Sequence, residues 1–481
     1  MKHLGLDRNK LMNKVKSIHF VGIKGVGMAP LAVIAKEAKV KVTGSDIDEE
    51  FITDESLKRA GIVPFVGFDG SHVEKPDLVI ASGAHGGMDN AEVKAAKTKG
   101  IKVLMQGQAV GEFMQGSLLG RQFEGISVAG AHGKTTTAAM IATVLKVAET
   151  DPSYVIGTGD IPSLGSSGHF GRGKYFVAEA DEYVTDPQYD KTIKFLWQHP
   201  KIAVFTNIEF DHPDVYESID ELRSAFIKFA NSLSEDCLLV ANGDDPQIQR
   251  ILERFEGKVI TYGFSPKNDY SLQRVSISGE RMFFWVTAKE VSLGEFSLGV
   301  TGEHNGLNAL SAIIVASELG ISIEKIKVGI SAYSGSKRRS EFVGKLPSGA
   351  LAYDDYAHHP TEIKNTLKTF KKTFPKSRIV CIFQPHTYSR TKSLLSEFKM
   401  SFMDADEVII TDIYASLREE KDPAISSEIL TREVAKNHRS VTFLPKLSDV
   451  VEYLSQKQYD RNTVVVSMGA GDVYKIWTNL L

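Results

Sequence analysis

Apolar positions along this chain recur with two periods. Short runs rich in β-branched residues, at 18–23, 40–43, 78–81 and 101–104, are separated by stretches in which apolar residues return every three or four positions. Brief apolar runs alternating with helical stretches predict a parallel α/β sheet. After residue 122 the alternation resumes. A run at 125–128 is followed by Met140, Val144 and Val147 beside Ile141, Leu145 and Ala148, a buried helical stripe. Ile219, Leu222, Phe226, Phe229 and Leu233 also fall at helical spacing and read as core packing. Residues 269–300 are strand-like, with a turn at Ser278-Gly279-Glu280, before Leu307, Leu310 and Ile314 restore the helical period. From 334 onward four runs, 350–353, 378–383, 408–411 and 463–467, each end in a polar or glycine-rich loop, and helical patterns follow three of them. That predicts another doubly wound sheet, with its polar groups along one edge. The Gly-, Ser- and Pro-rich stretch 152–173 reads as a long mobile loop.

The expected fold class is α/β in three domains, in keeping with 481 residues at about 150 per domain. Residues 1–119 are expected to form an N-terminal Rossmann-like domain, 120–333 a central P-loop ATPase-type domain and 334–481 a C-terminal Rossmann-like domain. A net charge of −3 leaves no footprint for nucleic acid or a membrane surface. Two distant cysteines, Cys237 and Cys381, make neither a disulfide framework nor a zinc knuckle. Residues 1–10 are polar, with no apolar signal core, and no apolar run reaches the ~18–20 residues that span a bilayer. A cytoplasmic protein is expected, as a monomer or weak homodimer.

The chemistry concentrates where runs end. After the run at 125–128 come Gly130-Ala131-His132-Gly133-Lys134-Thr135-Thr136-Thr137, opening a helix. Bare N–H groups at a helix N-terminus, one ammonium and a hydroxyl for Mg²⁺ suit a phosphate chain. The match is incomplete, because Val128 stands where the usual loop has its first glycine. Two further runs end in acid: Ala178-Glu179-Ala180-Asp181-Glu182 and Asn207-Ile208-Glu209-Phe210-Asp211-His212. Acids at strand ends beside a phosphate loop suit Mg²⁺ bridging phosphates; a solvated charged loop is the plainer reading.

Nearer the N-terminus, Gly22-Ile23-Lys24-Gly25-Val26-Gly27-Met28 follows the first run, and Gly44-Ser45-Asp46 the second. The spacing G-x-x-G-x-G departs from the dinucleotide fingerprint. A nucleotide diphosphate on this turn, with Asp46 at the ribose or base, is the sharper reading, and close glycine packing the plainer one. His304 and Asn305 head the later helix, where capping and a hydrogen bond to a nucleobase fit equally. The basic triplet Lys337-Arg338-Arg339 suits either a solvated surface or a phosphate in a cleft. Zinc on His358, His359 and His386 is disfavoured, since adjacent histidines seldom chelate one ion and no cysteine accompanies them.

Taken together, these stretches resemble the Mur ligase family of peptidoglycan synthesis over nearly the whole chain. The phosphate loop, both acidic strand ends and Gly302-Glu303-His304-Asn305 carry the resemblance. It implies that ATP phosphorylates the lactyl carboxylate of UDP-N-acetylmuramate, and that an amine attacks the acyl phosphate to leave an amide. The cofactors implied are ATP and Mg²⁺. The glycine turn at 22–28, Asp354-Asp355-Tyr356-Ala357-His358-His359-Pro360-Thr361-Glu362 and Gln384-Pro385-His386-Thr387-Tyr388-Ser389-Arg390-Thr391 imply L-alanine as the amine. Residues 183–195 lean instead towards a ligase that recycles a tripeptide onto the same sugar nucleotide.

The resemblance also implies roles. Lys134 pairs with the β/γ-phosphates, Thr135 and Glu179 hold Mg²⁺, and His212 a second Mg²⁺ or its water. Gly130, His132, Gly133 and Thr136 complete the loop, Asn305 holds adenine, and Arg339 and Asp355 reach ATP from the third domain. Gly22, Gly25, Gly27 and Asp46 take the UDP end. Tyr356, His358, His386 and Arg390 form the amino-acid pocket, with catalysis assigned to Lys134, Glu179, His212, Arg339 and His358. Sites split between domains imply closure on binding, which keeps water from the intermediate. Three rivals are weaker. The glycine spacing opposes a nicotinamide-dependent oxidoreductase. The intact lysine, hydroxyl and acids oppose a non-catalytic nucleotide module. The extra first segment opposes a two-domain folate-type glutamate ligase.

Overall fold

The computed structural model describes residues 15–415, 419–457 and 459–481; the polar stretch 1–10 lies outside them. Three large sheets follow one another along the chain, with a two-stranded hairpin besides. The first has five parallel strands in the order Phe65–Val66, Lys41–Asp46, Ser17–Val21, Leu78–Ala81, Lys102–Met105. Helices cover both faces of such a sheet, so its central strands are buried almost throughout rather than alternating, His19 included. The strand order reverses beside Ser17–Val21, and the glycine turn leaves the carboxyl end of that strand.

The second sheet has ten strands. Its parallel centre runs Leu238–Asn242, Ile202–Phe205, Glu124–Ala129, Tyr175–Ala180, with Glu124–Ala129 flanked by the strands that carry both acidic clusters. An antiparallel meander, Tyr270–Ser278, Arg281–Ala288 and Val291–Leu298, extends one side. The long helices Lys134–Val147 and Glu303–Glu318 pack on the sheet and bury its largest apolar cluster. The third sheet has six strands, ordered Glu341–Lys345, Leu351–Asp355, Thr463–Met468, Arg378–Phe383, Glu407–Ile410, Val441–Phe443. It is parallel except for Glu341–Lys345. The two outermost strands carry only half-buried apolar positions, which is why their pattern is faint in the sequence.

Residues 152–173 are not a free loop. Ser153–Val155 joins the second sheet and pairs with Gly168–His169. A Cβ on Gly168 would overlap Pro30, and one on Gly171 would overlap the Asp151 carbonyl. The glycines there permit close packing against the helix Ala29–Glu37, where the Phe170 N–H donates to Glu37 at 2.7 Å. Residues 183–195 contain a hairpin, Val184–Asp186 with Asp190–Ile193. It reaches the connection between two strands of the first sheet, where the Met88 N–H donates to Asp186 at 3.3 Å.

Candidate active site

The strand Glu124–Ala129 is buried to its end, so Val128 is a core residue and the loop starts only at Gly130. This accounts for the missing early glycine. A Cβ on Gly130 (φ 144°) would overlap the Thr206 hydroxyl, and one on Gly133 (φ 82°) would lie 2.5 Å from Asn308. Both must be glycine for the loop to take this path. Lys134 then opens the helix with its Nζ 2.6 Å from the Gly130 carbonyl and 2.8 and 3.0 Å from the two oxygens of Glu182. Burial alone would lower the Lys134 ammonium, but Glu182 and Asp181 outweigh it and hold it above the usual lysine range.

The Thr135 hydroxyl donates to Glu179 at 2.9 Å, and the Gly157 N–H donates to the other oxygen of Glu179 at 2.5 Å. Burial raises the Glu179 carboxyl above its ordinary value. A buried hydroxyl and carboxylate side by side are hard oxygen donors, so this pair fits Mg²⁺. His212 belongs to a neighbouring group. Its Nε2 lies 3.5 Å from Glu182, and ligand atoms of Asp181, Glu182 and His212 all fall within 4.8 Å of one another. Burial opposes protonation of His212, but Asp211 and Glu182 raise it above the ordinary histidine value. The three residues expected on metal are thus divided between two adjacent sets, with Lys134 bonded to the carboxylate of the second.

A cavity of about 260 Å³ opens beside the loop, between the second and third sheets. Gly133, Thr136 and Asn305 line it from one side, and Arg339 and Asp355 from the other. The Asn305 amide also donates to the Thr301 carbonyl at 2.8 Å, which ties the helix start to the chain before it while Asn305 faces the cavity. The basic triplet is no surface run. Arg338 is buried and donates to Asp354 at 2.9 Å. Arg339 points the other way, its Nη2 3.4 Å from the Thr135 hydroxyl. Left-handed backbone at Arg338 (φ 60°) and Ser340 (φ 49°) flanks it, a strained stretch of the kind that collects at functional sites. Asp355 accepts from the Ser340 N–H at 2.6 Å and the Ala357 N–H at 2.8 Å. Burial pushes its carboxyl up to about 6.

The expected amino-acid pocket is a cluster. Arg338 and Arg339 each lie 5.1 Å from the ring of Tyr356, and the His358 and His386 rings are 5.8 Å apart, edge to face. Burial pushes His358 down to about 4, so it is neutral near pH 7. Its Nδ1 faces the Tyr356 carbonyl at 2.9 Å, which places the proton there and leaves Nε2 as the acceptor. Arg390 has a different principal contact from the one expected. It is buried, its Nε donates to Asp211 at 2.7 Å and its Nη1 lies 3.0 Å from His386 Nδ1, so it clasps the second sheet to the third.

Gly22, Gly25, Gly27 and Asp46 form a separate site on the first sheet. Asp46 does not stand open to a ribose, because it is buried and accepts from the Lys24 and Ile47 N–H groups at 2.7 and 2.8 Å, ordering the turn. Gly22 needs its positive φ of 78°. A Cβ on Gly25 would meet nothing closer than 3.5 Å, so the fold itself leaves room there. Glu182 and Glu362 were given no role from sequence. Glu182 is the partner of Lys134, and Glu362 faces both His132 and Arg339. The only local signal for Glu362 is its place three residues into a helix, where it reads as a cap.

Residues 17–117 match the family described as "Mur ligase family, catalytic domain", 128–316 the "Mur ligase middle domain" and 338–471 "Mur ligase, glutamate ligase domain". The UDP-N-acetylmuramate–L-alanine ligase of Desulfitobacterium hafniense is 39% identical, covering 96% of this chain and 99% of its own. That of Acetivibrio thermocellus is also 39% identical, covering 96% and 95%. Among solved structures, the UDP-N-acetylmuramate-alanine ligase of Thermotoga maritima superposes with a TM-score of 0.79 at 29% identity, over 96% of this chain and 98% of that one. A murein peptide ligase from Psychrobacter arcticus gives 0.72 at 25%, over 97% and 98%.

Proposed function

The chain belongs to the Mur ligase family, and from that premise we propose that it is an ATP-dependent ligase joining L-alanine to the lactyl carboxylate of UDP-N-acetylmuramate. The observation that carries this reading is that Thr135 meets Glu179 on one side and Arg339 of the third domain on the other, beside a cavity lined by Arg339 and by the loop residues Gly133 and Thr136. The relatives at 39% identity, which span almost the whole chain, favour alanine as the amine. The hairpin at 184–193 is the feature that favours a tripeptide instead. Three domains, 1–119, 120–333 and 334–481, are supported by three sheets whose strands fall within 17–105, 124–298 and 341–468.

In this reading ATP lies in the cavity, its adenine towards Asn305 and its phosphates along Gly130, His132, Gly133, Lys134 and Thr136. The Lys134 ammonium exchanges Glu182 for the β/γ-phosphates. Arg339 meets the charge on the transferred phosphoryl group, and Asp355 holds the arginine's segment through Ser340. Mg²⁺, when bound, neutralises phosphate oxygens; Thr135 and Glu179 would hold it, and His212 with Glu182 a second. The sugar nucleotide's diphosphate rests on Gly22, Gly25 and Gly27, in a turn that Asp46 shapes. A carboxylate oxygen of its lactyl group takes the γ-phosphoryl group and ADP leaves. Alanine lies against Tyr356, His358, His386 and Arg390. The nitrogen of alanine, having released its ammonium proton to solvent, hydrogen-bonds to the Nε2 of His358 and attacks the carbonyl carbon; the C–O bond then breaks and phosphate departs with the former carboxylate oxygen and a proton from the nitrogen. Positioning and charge neutralisation do most of the work in such a step. The reaction belongs where ATP and nucleotide sugars are, in the cytoplasm, and needs neither nucleic acid nor a membrane. Among the described residues no helix is long and apolar enough to cross one.

The test is phosphate release from ATP with UDP-N-acetylmuramate and one amine at a time: L-alanine, glycine, L-serine or the tripeptide. L-Alanine is expected to give the highest kcat/KM. Turnover with the tripeptide alone would transfer the assignment to the recycling ligase.

A further inference from the structure

The carboxylate of Glu362 works in two directions. It is the third residue of the helix Pro360–Thr373, whose N-cap is His359. Its Oε2 accepts from the His358 and His359 N–H groups at 3.2 and 3.3 Å, an ordinary cap. Its Oε1 faces across the cleft, 3.3 Å from His132 Nδ1 in the phosphate loop and 3.8 Å from Arg339 Nη1. Capping needs only the first oxygen. A cap on a surface helix is also solvated, whereas this side chain is 13% exposed. Burial alone would raise the Glu362 carboxyl, yet the protonated imidazole of His132 and the guanidinium of Arg339 hold it well below the usual carboxylate range.

His132 is clasped from both sides. Its Nε2 lies 3.0 Å from Glu209 on the second sheet, opposite the contact with Glu362 on the third. Burial opposes its charge, but Glu362 and Glu209 raise it to about 10. Two more contacts bridge the same seam: Thr361 donates to Glu209, and His359 Nε2 lies 3.1 Å from the Phe210 carbonyl. The imidazole, at the wall of the cavity, therefore meets two carboxylates from different domains.

We propose that Glu362 is a positioning residue that docks the third sheet on the phosphate loop through His132 and orients Arg339 towards the transferred phosphate. The proposal rests on the reading of the cavity as the ATP site. It makes His132 and Glu362 one unit, so that losing either should have the effect of losing both. It also separates the docking role from capping, because glutamine can still accept the two N–H groups but carries no charge for His132 or Arg339.

Wild type, Glu362→Gln, His132→Asn and the double variant would be compared in kcat and KM for ATP, in affinity for ADP and UDP, and in thermal unfolding. Each single variant should lower kcat/KM for ATP at least about tenfold. The double variant should fall within about threefold of the worse single one. UDP affinity should stay unchanged, as the reporter of an intact first domain. Losses that multiply in the double variant would overturn the proposal. So would a Glu362→Gln enzyme with wild-type kcat/KM, which would leave Glu362 as a cap alone. Failure of the wild type to bind ADP would overturn the underlying ATP reading, and the proposal with it.

Discussion

Two glycine-rich turns, each after the first strand of its own sheet, are built on opposite plans. In the loop at 130–135 the fold itself forbids a Cβ at Gly130 and Gly133, because Thr206 and Asn308 already fill that space. In the turn at 22–28 a Cβ on Gly25 fits without conflict. The loop draws its polar neighbours from two sheets: Glu182 and Glu179 from the second, Arg339 and Glu362 from the third. The turn is ordered from within its own sheet, by Asp46. The first turn is thus a site assembled by domain contact, suited to chemistry that must exclude water. The second is preformed, suited to holding a substrate's inert end. Glycine means a different thing at Gly130 and Gly133, where a side chain would collide, and at Gly25, where the space is left open.

Substitutions can break this contrast. The largest effect is expected for Lys134→Ala, which should cut phosphate release by about a thousandfold while leaving UDP affinity unchanged. Kinetics and UDP titration calorimetry together would show whether the two sites are separable. Next, Gly130→Ala should lose both activity and stability, by about 2 kcal/mol or more, through its clash with Thr206. Gly25→Ala is the counterpart. Denaturant unfolding should find its stability unchanged, while UDP binds about tenfold more weakly, or about 1.4 kcal/mol.

A further effect is confined to acid and absent at pH 7. Burial holds His358 at about 4, whereas an unfolded histidine titrates near 6.5. Its stabilising contribution is complete above pH 6.5 and is lost between 6.5 and 4, because only the unfolded chain takes up the proton there. His358→Gln should therefore flatten the acid fall in unfolding free energy by up to about 3 kcal/mol. Asp355, raised to about 6, acts in the opposite sense over the same range and should be unaffected by that change.

What the sequence discloses and what it hides follow the same contrast. The central strands are legible because burial on both faces forces an apolar run, and the phosphate loop because its residues are adjacent. Partners drawn from other sheets are not legible. Nothing near Arg390 announces Asp211, and nothing near Lys134 selects Glu182 over Glu179 or Asp181. Residues 152–173 show the limit for glycine itself. Their composition is that of a mobile loop, and only the position of Pro30 and the Asp151 carbonyl reveals that Gly168 and Gly171 are packed. The hairpin at 184–193 escaped for a related reason, since its anchor at Met88 belongs to the first domain.

The most direct measurement follows an oxygen atom. UDP-N-acetylmuramate labelled with ¹⁸O in its lactyl carboxylate would be turned over with ATP and L-alanine, and the released phosphate examined by mass spectrometry. Activation of the carboxylate at Lys134 and Thr135 requires one labelled oxygen to leave in each phosphate. Product amide accompanied by unlabelled phosphate would contradict it.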